Sequence, residues 1–220
     1  VNQRGAGPSR ALCSHQYHAG SSDDFATLLD SLNPWLTRRG VLPVGFSLGG
    51  NMLLKFLAEA GGHSSVQRAA TVSAPLCVAA ACRSLMRWRN FAYHRYILTN
   101  LKRTCTGAGA ALTEREREVI LRASNLWQLD EGFTAPRLGY ASAGAFYAAN
   151  SSERFLDGIR TDTLLIHAQD DPFVPADPYL ARDWSKHPTL TALLPKSGGH
   201  LGFHDPLGLW HLRQIDRFFR

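Results

Sequence analysis

Short apolar runs alternate along the chain with stretches whose apolar residues recur every three or four positions. Val41 to Phe46, bounded by Gly40 and a Ser47-Leu48-Gly49-Gly50 turn, reads as a buried strand. From Leu48 onward, Met52, Leu53, Phe56, Leu57 and Ala60 recur at helical spacing, and Gly61-Gly62 supplies the stop. Ala69 to Ser73, Thr163 to Ala168 and Thr189 to Leu194 read as three further strands, the last ending at Pro195. A closing helix carries Leu209, Leu212, Ile215 and Phe219 on one stripe. Continuous apolar strands separated by helices predict an α/β fold with a mostly parallel sheet covered by helices on both faces. Between Cys77 and Ile159 the strand signal fades into helical fragments, Ser84 to Leu101 and Thr113 to Leu126. The segment 77–159 therefore reads as a helical lid inserted into a single domain of residues 1–220, above a site at the carboxyl ends of the strands.

Composition removes several classes. With 220 residues, 45% hydrophobic and 19% charged, the chain is long and apolar enough to bury a core without disulfides or metal, and unlike disordered or collagenous chains. The most apolar stretch, Ala69 to Cys82, is broken by Ser73 and Pro75, so no membrane span is predicted. Cys13, Cys77, Cys82 and Cys105 form no CxxC pair, which fits free, buried thiols in a reducing compartment and argues against zinc. The chain opens at Val1 with neither a basic n-region nor an apolar h-region; this predicts cytoplasmic residence, and the absence of an initiator Met predicts sequence upstream.

The net charge of +6 is unevenly placed. Residues 61–113 hold no carboxylate and seven cations: Arg68, Arg83, Arg87, Arg89, Arg95, Lys102 and Arg103. A local excess of this kind attracts phosphate or an anionic surface. Leu85, Trp88, Ala92 and Tyr96 fall on one helical stripe, with most of the cations off it. The plain expectation is a lid helix with an apolar inner face and solvated arginines. The sharper one is a lid that meets acyl chains inside and phosphate headgroups outside, a peripheral membrane contact. No nucleic-acid fold signature accompanies the charge, so nucleic acid is not an expected partner.

Gly45-Phe46-Ser47-Leu48-Gly49 fits G-x-S-x-G between a strand and a helix, the setting in which a serine is held on a sharp turn as a nucleophile. Tightness of that turn explains glycines two residues to either side of Ser47. The helix starting there aims backbone N–H groups at a developing oxyanion, Leu48 N–H first. A serine hydroxyl needs a base oriented by a third group. Strand 163–168 leads into Asp170-Asp171-Pro172-Phe173-Val174-Pro175, and Asp171 is favoured as the acid because it precedes the proline turn. Asp170 stays open as the alternative, because spacing does not settle which carboxylate faces inward. Strand 189–194 is followed by Lys196-Ser197-Gly198-Gly199-His200, making His200 the expected base, with His204 its nearest competitor. A metal pair of His200 and His204 is disfavoured by Pro206 and the neighbouring glycines, which oppose a helix there. The chain order Ser47, Asp171, His200 is that of the α/β-hydrolases rather than of chymotrypsin or subtilisin.

Several segments together resemble the YheT-like branch of the α/β-hydrolases: Asn2-Gln3-Arg4-Gly5-Ala6-Gly7, Tyr17-His18-Ala19-Gly20 with Asp23-Asp24, Gly45 to Leu53, Ser73-Ala74-Pro75, His167 to Phe173 and Gly198 to Phe203. The resemblance implies a serine carboxylic-ester hydrolase using Ser47, Asp171 and His200 and needing no cofactor. Some relatives act on lipid esters, phospholipids among them. The family carries several strands before the Asn-Arg-Gly segment, including a His-Gly loop whose N–H completes the oxyanion hole. This chain starts at about that segment, so the resemblance implies a sheet lacking its first strands unless another chain supplies them. Loss of one oxyanion donor costs about 100- to 1000-fold in rate. The Tyr17-to-Gly20 and Asp23-Asp24 elements are expected to position a loop and cap a helix from Phe25 to Leu32. Three functions follow: ester hydrolysis, acyl transfer on the same machinery if an alcohol outcompetes water, or a catalytically silent module binding a lipid or a partner.

Overall fold

The computed structural model describes residues 3–13, 17–59, 63–107 and 109–220. Four strands form a fully parallel sheet in the order β1-β2-β3-β4: β1 Val44–Phe46, β2 Arg68–Val72, β3 Asp162–Ile166 and β4 Leu190–Leu193. The inner strands bury side chains on both faces. Ala69 and Leu165 face one apolar cluster, while Ala70, Val72, Leu164 and Ile166 face another. Such two-sided burial is why these strands read as apolar runs rather than as alternation. The longer helices are α1 Asp23–Ser31, α2 Leu48–Glu59, α3 Val78–Leu85, α4 Phe91–Thr106, α5 Glu114–Arg122, α6 Ala143–Asn150 and α7 Trp210–Phe219. Leu53, Leu54, Phe56 and Leu57 of α2 cover the first face with the flank of α1, and α7 covers the second. The architecture is the expected α/β one, a parallel sheet with helices on both faces. No helix among the described residues is long and apolar enough to cross a membrane.

Four local expectations are corrected. The run Val41 to Phe46 is not one buried strand: Val41 makes a single parallel bridge to Val66, and the ladder resumes at Val44. Pro43 between them has no N–H to give the ladder. At this edge of the sheet, Val44 and Phe46 keep more than a third of their surface exposed. In α7 the inward residues are His211 and Ile215 with Phe218 and Phe219 beside them, whereas Leu209 and Leu212 face out. His211 packs in a tilted contact on Phe203, ring centres 5.4 Å apart, in keeping with that rotation. Helix α1 begins at Asp23, so Asp23 and Asp24 lie in its first turn rather than capping a helix from Phe25. The expected helix stop at Gly61-Gly62, and Asn2 of the first motif, lie outside the described residues.

The fourth correction concerns the helical segment between β2 and β3. The expected Ser84-to-Leu101 helix is two helices. Arg87 turns extended, Trp88–Asn90 makes one 3-10 turn, and buried Asn90 donates from Nδ2 to Ser84 O at 2.9 Å and Pro172 O at 2.8 Å. The break resets the helical phase. The inward face of α4 is His94, Leu98 and Cys105 flanked by Ile97 and Leu101. Of the stripe Leu85, Trp88, Ala92, Tyr96, only Leu85 packs against the core; the other three are exposed. Helix α5 is better anticipated: Thr113 Oγ1 accepts from Glu116 N–H at 3.2 Å, and Glu116 Oε2 accepts from Thr113 N–H at 2.8 Å. This reciprocal cap starts the helix at Glu114. The continuation expected to Leu126 is instead a separate turn, Leu126–Leu129, and a π-helical turn, Asp130–Thr134.

Candidate active site

Ser47 is the single residue between β1 and α2, and it holds φ at 49°, a left-handed conformation unfavourable for a residue with a Cβ. Its N–H is fixed by Val72 O at 2.9 Å. The turn is tight at one expected glycine and not at the other. A Cβ on Gly45 would meet Gly50 Cα at 2.7 Å and Gly49 O at 2.8 Å, and one on Gly50 would meet Ala74 Cβ at 2.8 Å, while Gly49 has open space. The pair that needs to be small is therefore Gly45 and Gly50. Leu48 opens α2, where a backbone N–H has no intrahelical acceptor and is free for an anion.

The loops after β3 and β4 bring the remaining residues together. His200 Nε2 lies 3.0 Å from Ser47 Oγ, and His200 Nδ1 lies 2.8 Å from Asp171 Oδ2. The Asp171 carboxylate is wholly buried, and its Oδ1 accepts from Phe173 N–H at 2.8 Å and Val174 N–H at 3.0 Å. With one oxygen occupied by two backbone donors, the other is aimed at the imidazole. Asp170 turns the opposite way. Its Oδ1 accepts from Gly198 N–H at 2.9 Å and Gly199 N–H at 2.8 Å, tethering the loop that carries His200. The two adjacent acids thus touch different things: Asp171 the imidazole, Asp170 the backbone beneath it. His204 is exposed on a two-strand ribbon, His204–Asp205 with Gly208–Leu209.

Sequence reasoning left several neighbours of this site without a role. Ser73 also holds a positive φ, 54°, and its hydroxyl donates to His200 O. Phe173 meets the His200 ring edge-on at 5.2 Å and stacks on Tyr93 at 4.2 Å. Behind the acid, fully buried His167 stacks on Tyr179 at 4.3 Å, and burial pushes its imidazole down from the usual range. The strained Ser73 is adjacent to a proline motif that the sequence displays; nothing in the sequence signals the Tyr93 stack.

Ser47, Leu48 and His200 open on a cavity of about 250 Å³. Its remaining wall is mostly apolar and comes from the helical segment, with Val78, Ile97, Leu101, Leu129 and Phe146 among the lining residues. The volume is just below the range typical of small-molecule sites, roughly 300–1,000 Å³. One polar rib interrupts this wall: Tyr147 OH donates to Asp130 Oδ2 at 2.5 Å and lies 3.3 Å from Cys82 Sγ. Burial raises all three acids, the Cys82 thiol to about 11, which disfavours the reactive thiolate. Tyr17 and His18, expected only to position a loop, also line the cavity. His18 Nδ1 accepts from Gly20 N–H at 3.1 Å, and burial lowers its pKa, favouring the neutral ring.

A family model described as alpha/beta hydrolase fold matches residues 1–207. The Escherichia coli (strain K12) protein YheT is 32% identical over 190 residues, covering 85% of this chain and 56% of that protein. The mouse (Mus musculus) phospholipase ABHD3 is 26% identical over 227 residues, covering all of this chain and 54% of that protein. The monoacylglycerol lipase of Saccharomyces cerevisiae (strain ATCC 204508 / S288c) is 30% identical over 231 residues, covering all of this chain and 51% of the lipase. The chain spans about half the length of these curated relatives. Among solved structures, an alpha/beta fold family hydrolase of Bacillus anthracis str. Sterne superposes with a TM-score of 0.56 at 16% identity, covering 99% of this chain and 79% of that one. A serine hydrolase of Cycloclasticus zankles gives a TM-score of 0.54 at 18% identity over 98% of this chain and 75% of that one. At these identities the two structures speak to fold alone. Fold, motif order and family match agree: the chain belongs to the α/β-hydrolase family and is similar to its YheT-like branch.

Proposed function

We propose that this chain is a serine carboxylic-ester hydrolase whose substrates are lipid or short- to medium-chain acyl esters. The observation that carries the reading is the hydrogen-bonded line Ser47 Oγ, His200, Asp171, with steps of 3.0 and 2.8 Å, opening on an apolar cavity. Ser47 Oγ attacks the ester carbonyl carbon while His200 Nε2 takes its proton. Asp171 holds the ring in the tautomer with Nδ1 protonated and stabilises the imidazolium that forms. Leu48 N–H, at the positive end of α2, receives the developing oxyanion. His200 then protonates the departing alkoxide, and water activated by the same ring hydrolyses the acyl-enzyme. No cofactor enters these steps. The segment 77–159 acts as the lid of the domain, and its apolar wall receives the acyl chain. Lipid ester is the substrate class that fits this wall, and the names of the yeast lipase and the mouse phospholipase support the same class. Such a substrate is met at a lipid surface facing the basic part of the lid.

A second reading, a binding module without turnover, draws on the uncovered edge at β1, where Val44 and Phe46 stay exposed. A fluorescent fluorophosphonate separates the two. The 220-residue chain is expected to label, and Ser47→Ala and His200→Ala to abolish labelling. A folded chain that takes no label overturns the hydrolase reading and leaves the binding module.

A further inference from the structure

The outer side of α4 and of the turn before it carries side chains that ester hydrolysis does not use. Trp88 is 90% exposed, Tyr96 66% and Phe91 62%. Arg87, Arg89 and Arg95 are interleaved with them and are also exposed. Among the described residues, none of Arg83, Arg87, Arg89, Arg95, Lys102 and Arg103 forms an ion pair. No carboxylate occurs in residues 61–113 to pair with them locally.

Single exposed apolar residues are ordinary on a protein surface; three large rings within nine positions, beside uncompensated cations, are a patch. Their chemistry fits one environment. Tryptophan and tyrosine place an apolar body and a polar edge at the boundary between headgroups and acyl chains, and arginine extends along apolar surface to hold its charge at the phosphates. The patch also adjoins the site. Tyr93, on the same turn of α4 and 6.4 Å from Tyr96, lines the cavity with Ser47 and stacks on Phe173, which in turn meets His200.

We propose that the face formed by Arg87, Trp88, Arg89, Phe91, Arg95 and Tyr96 docks on an anionic lipid surface, rings in the headgroup layer, and thereby sets the cavity against the bilayer. The docking is independent of turnover; its purpose, delivery of a lipid ester to Ser47, rests on the hydrolase reading. An acidic protein surface would meet the same cations, but three protruding rings suit a deformable interface better than a fixed one.

Flotation of the whole chain with phosphatidylcholine vesicles, with and without phosphatidylglycerol, tests the docking. Tighter binding to the anionic vesicles is expected, weakening with salt. One cation at such a surface is worth about fivefold in affinity, so Arg87→Glu/Arg95→Glu is expected to lose at least ~10-fold. The triple change Trp88→Ser/Phe91→Ser/Tyr96→Ser is expected to lose binding to both vesicle types. Exposed cations elsewhere, changed as Arg160→Glu/Lys186→Glu/Arg217→Glu, are expected to matter much less. Fluorophosphonate labelling of the docking variants reports folding and Ser47 separately: labelled variants that no longer float support the docking, and an unlabelled wild type that floats sinks the hydrolase reading while leaving the docking intact. Equal binding of wild type and triple variant overturns the proposal. So does a wild type that ignores vesicles and instead self-associates through the aromatic face.

Discussion

The loops at the carboxyl ends of the sheet and the helical segment above them are both tied by side chains, but by different sets of them. In the loops, carboxylates are clamped by backbone N–H groups: Asp171 by Phe173 and Val174, Asp170 by Gly198 and Gly199. In the helical segment the ties come from a mixed set of side chains. Asn90 closes the turn before α4, His94 Nε2 accepts from Leu126 N–H at 3.2 Å, Glu131 Oε2 accepts from Ala143 N–H at 2.7 Å, and Tyr147 meets Asp130. The loop clamps rest on one adjacent pair, Asp170 and Asp171, whereas the ties of the helical segment are spread over Asn90, His94, Glu131 and Tyr147 and change one residue at a time. The Ser47, His200, Asp171 line can therefore stay constant while the apolar wall beside it changes, which is what the proposed hydrolysis needs if it is to accept varied esters.

The largest expected effects test the rigid half. Ser47→Ala is expected to abolish acyl-enzyme formation, and Asp171→Asn to lower kcat by about 10⁴, because the amide favours the wrong histidine tautomer. Asp170→Asn keeps an acceptor oxygen for Gly198 and Gly199, so its expected cost is on the order of tenfold. Steady-state rates on a p-nitrophenyl ester read both. If Asp170→Asn proves the more damaging, the orienting acid has been assigned to the wrong neighbour.

Asn51 tests how the two halves are joined. One turn along α2 from Ser47 and fully buried, it donates from Nδ2 to Asn150 O at 2.8 Å and Ala19 O at 3.3 Å, and its Oδ1 accepts from Ser152 N–H at 2.9 Å. Asn51→Leu strands three backbone groups in a dry interior, each worth about 1–3 kcal/mol. A stability loss of about 3 kcal/mol or more is expected in urea unfolding. A loss under about 1 kcal/mol would mean that the helical segment is docked by its apolar cluster alone.

The same division governs what the sequence made legible. β2, β3, β4 and α2 are visible because burial on both faces of a sheet, or on one face of a helix, writes a period into the residues. Ser47 and His200 are visible because their positions follow from strand ends and glycine turns. The choice between Asp170 and Asp171 is only partly visible: the proline turn favours Asp171, but which carboxylate faces inward depends on the pair of backbone N–H groups that each one reaches. The facing of α4 is invisible for a related reason. Asn90 breaks the helix through a bond to Pro172, 82 positions away, and so moves Trp88 and Tyr96 from the expected inner stripe to the outside. The periods in a sequence report local geometry, and a single long-range hydrogen bond is enough to shift their phase.

A smaller effect sharpens the comparison from within the rigid half. His167 is completely buried behind Asp171, both its ring nitrogens lack a hydrogen-bond partner among the described residues, and its ring lies flat on Tyr179 with the planes 3° apart. Burial disfavours the charged ring and lowers its pKa in the folded chain. An unfolded histidine titrates near 6.5. Above that value both states carry neutral His167 and it contributes nothing to pH dependence. Below it the unfolded chain gains a proton that the folded chain refuses, so stability falls with pH, by at most about 1.4 kcal/mol per unit for this one group. His18, His94 and His211 are lowered by burial as well and add to the slope in the same direction. His167→Phe keeps the stacked ring and removes the proton. Urea unfolding of wild type and variant in steps below pH 6.5 is expected to give a shallower slope for the variant, with the two curves parallel above it. Equal slopes throughout would place the acid sensitivity in the other buried histidines, above all His94, which pairs with Leu126 in the helical segment, and would make the cover rather than the sheet the part that acid loosens first.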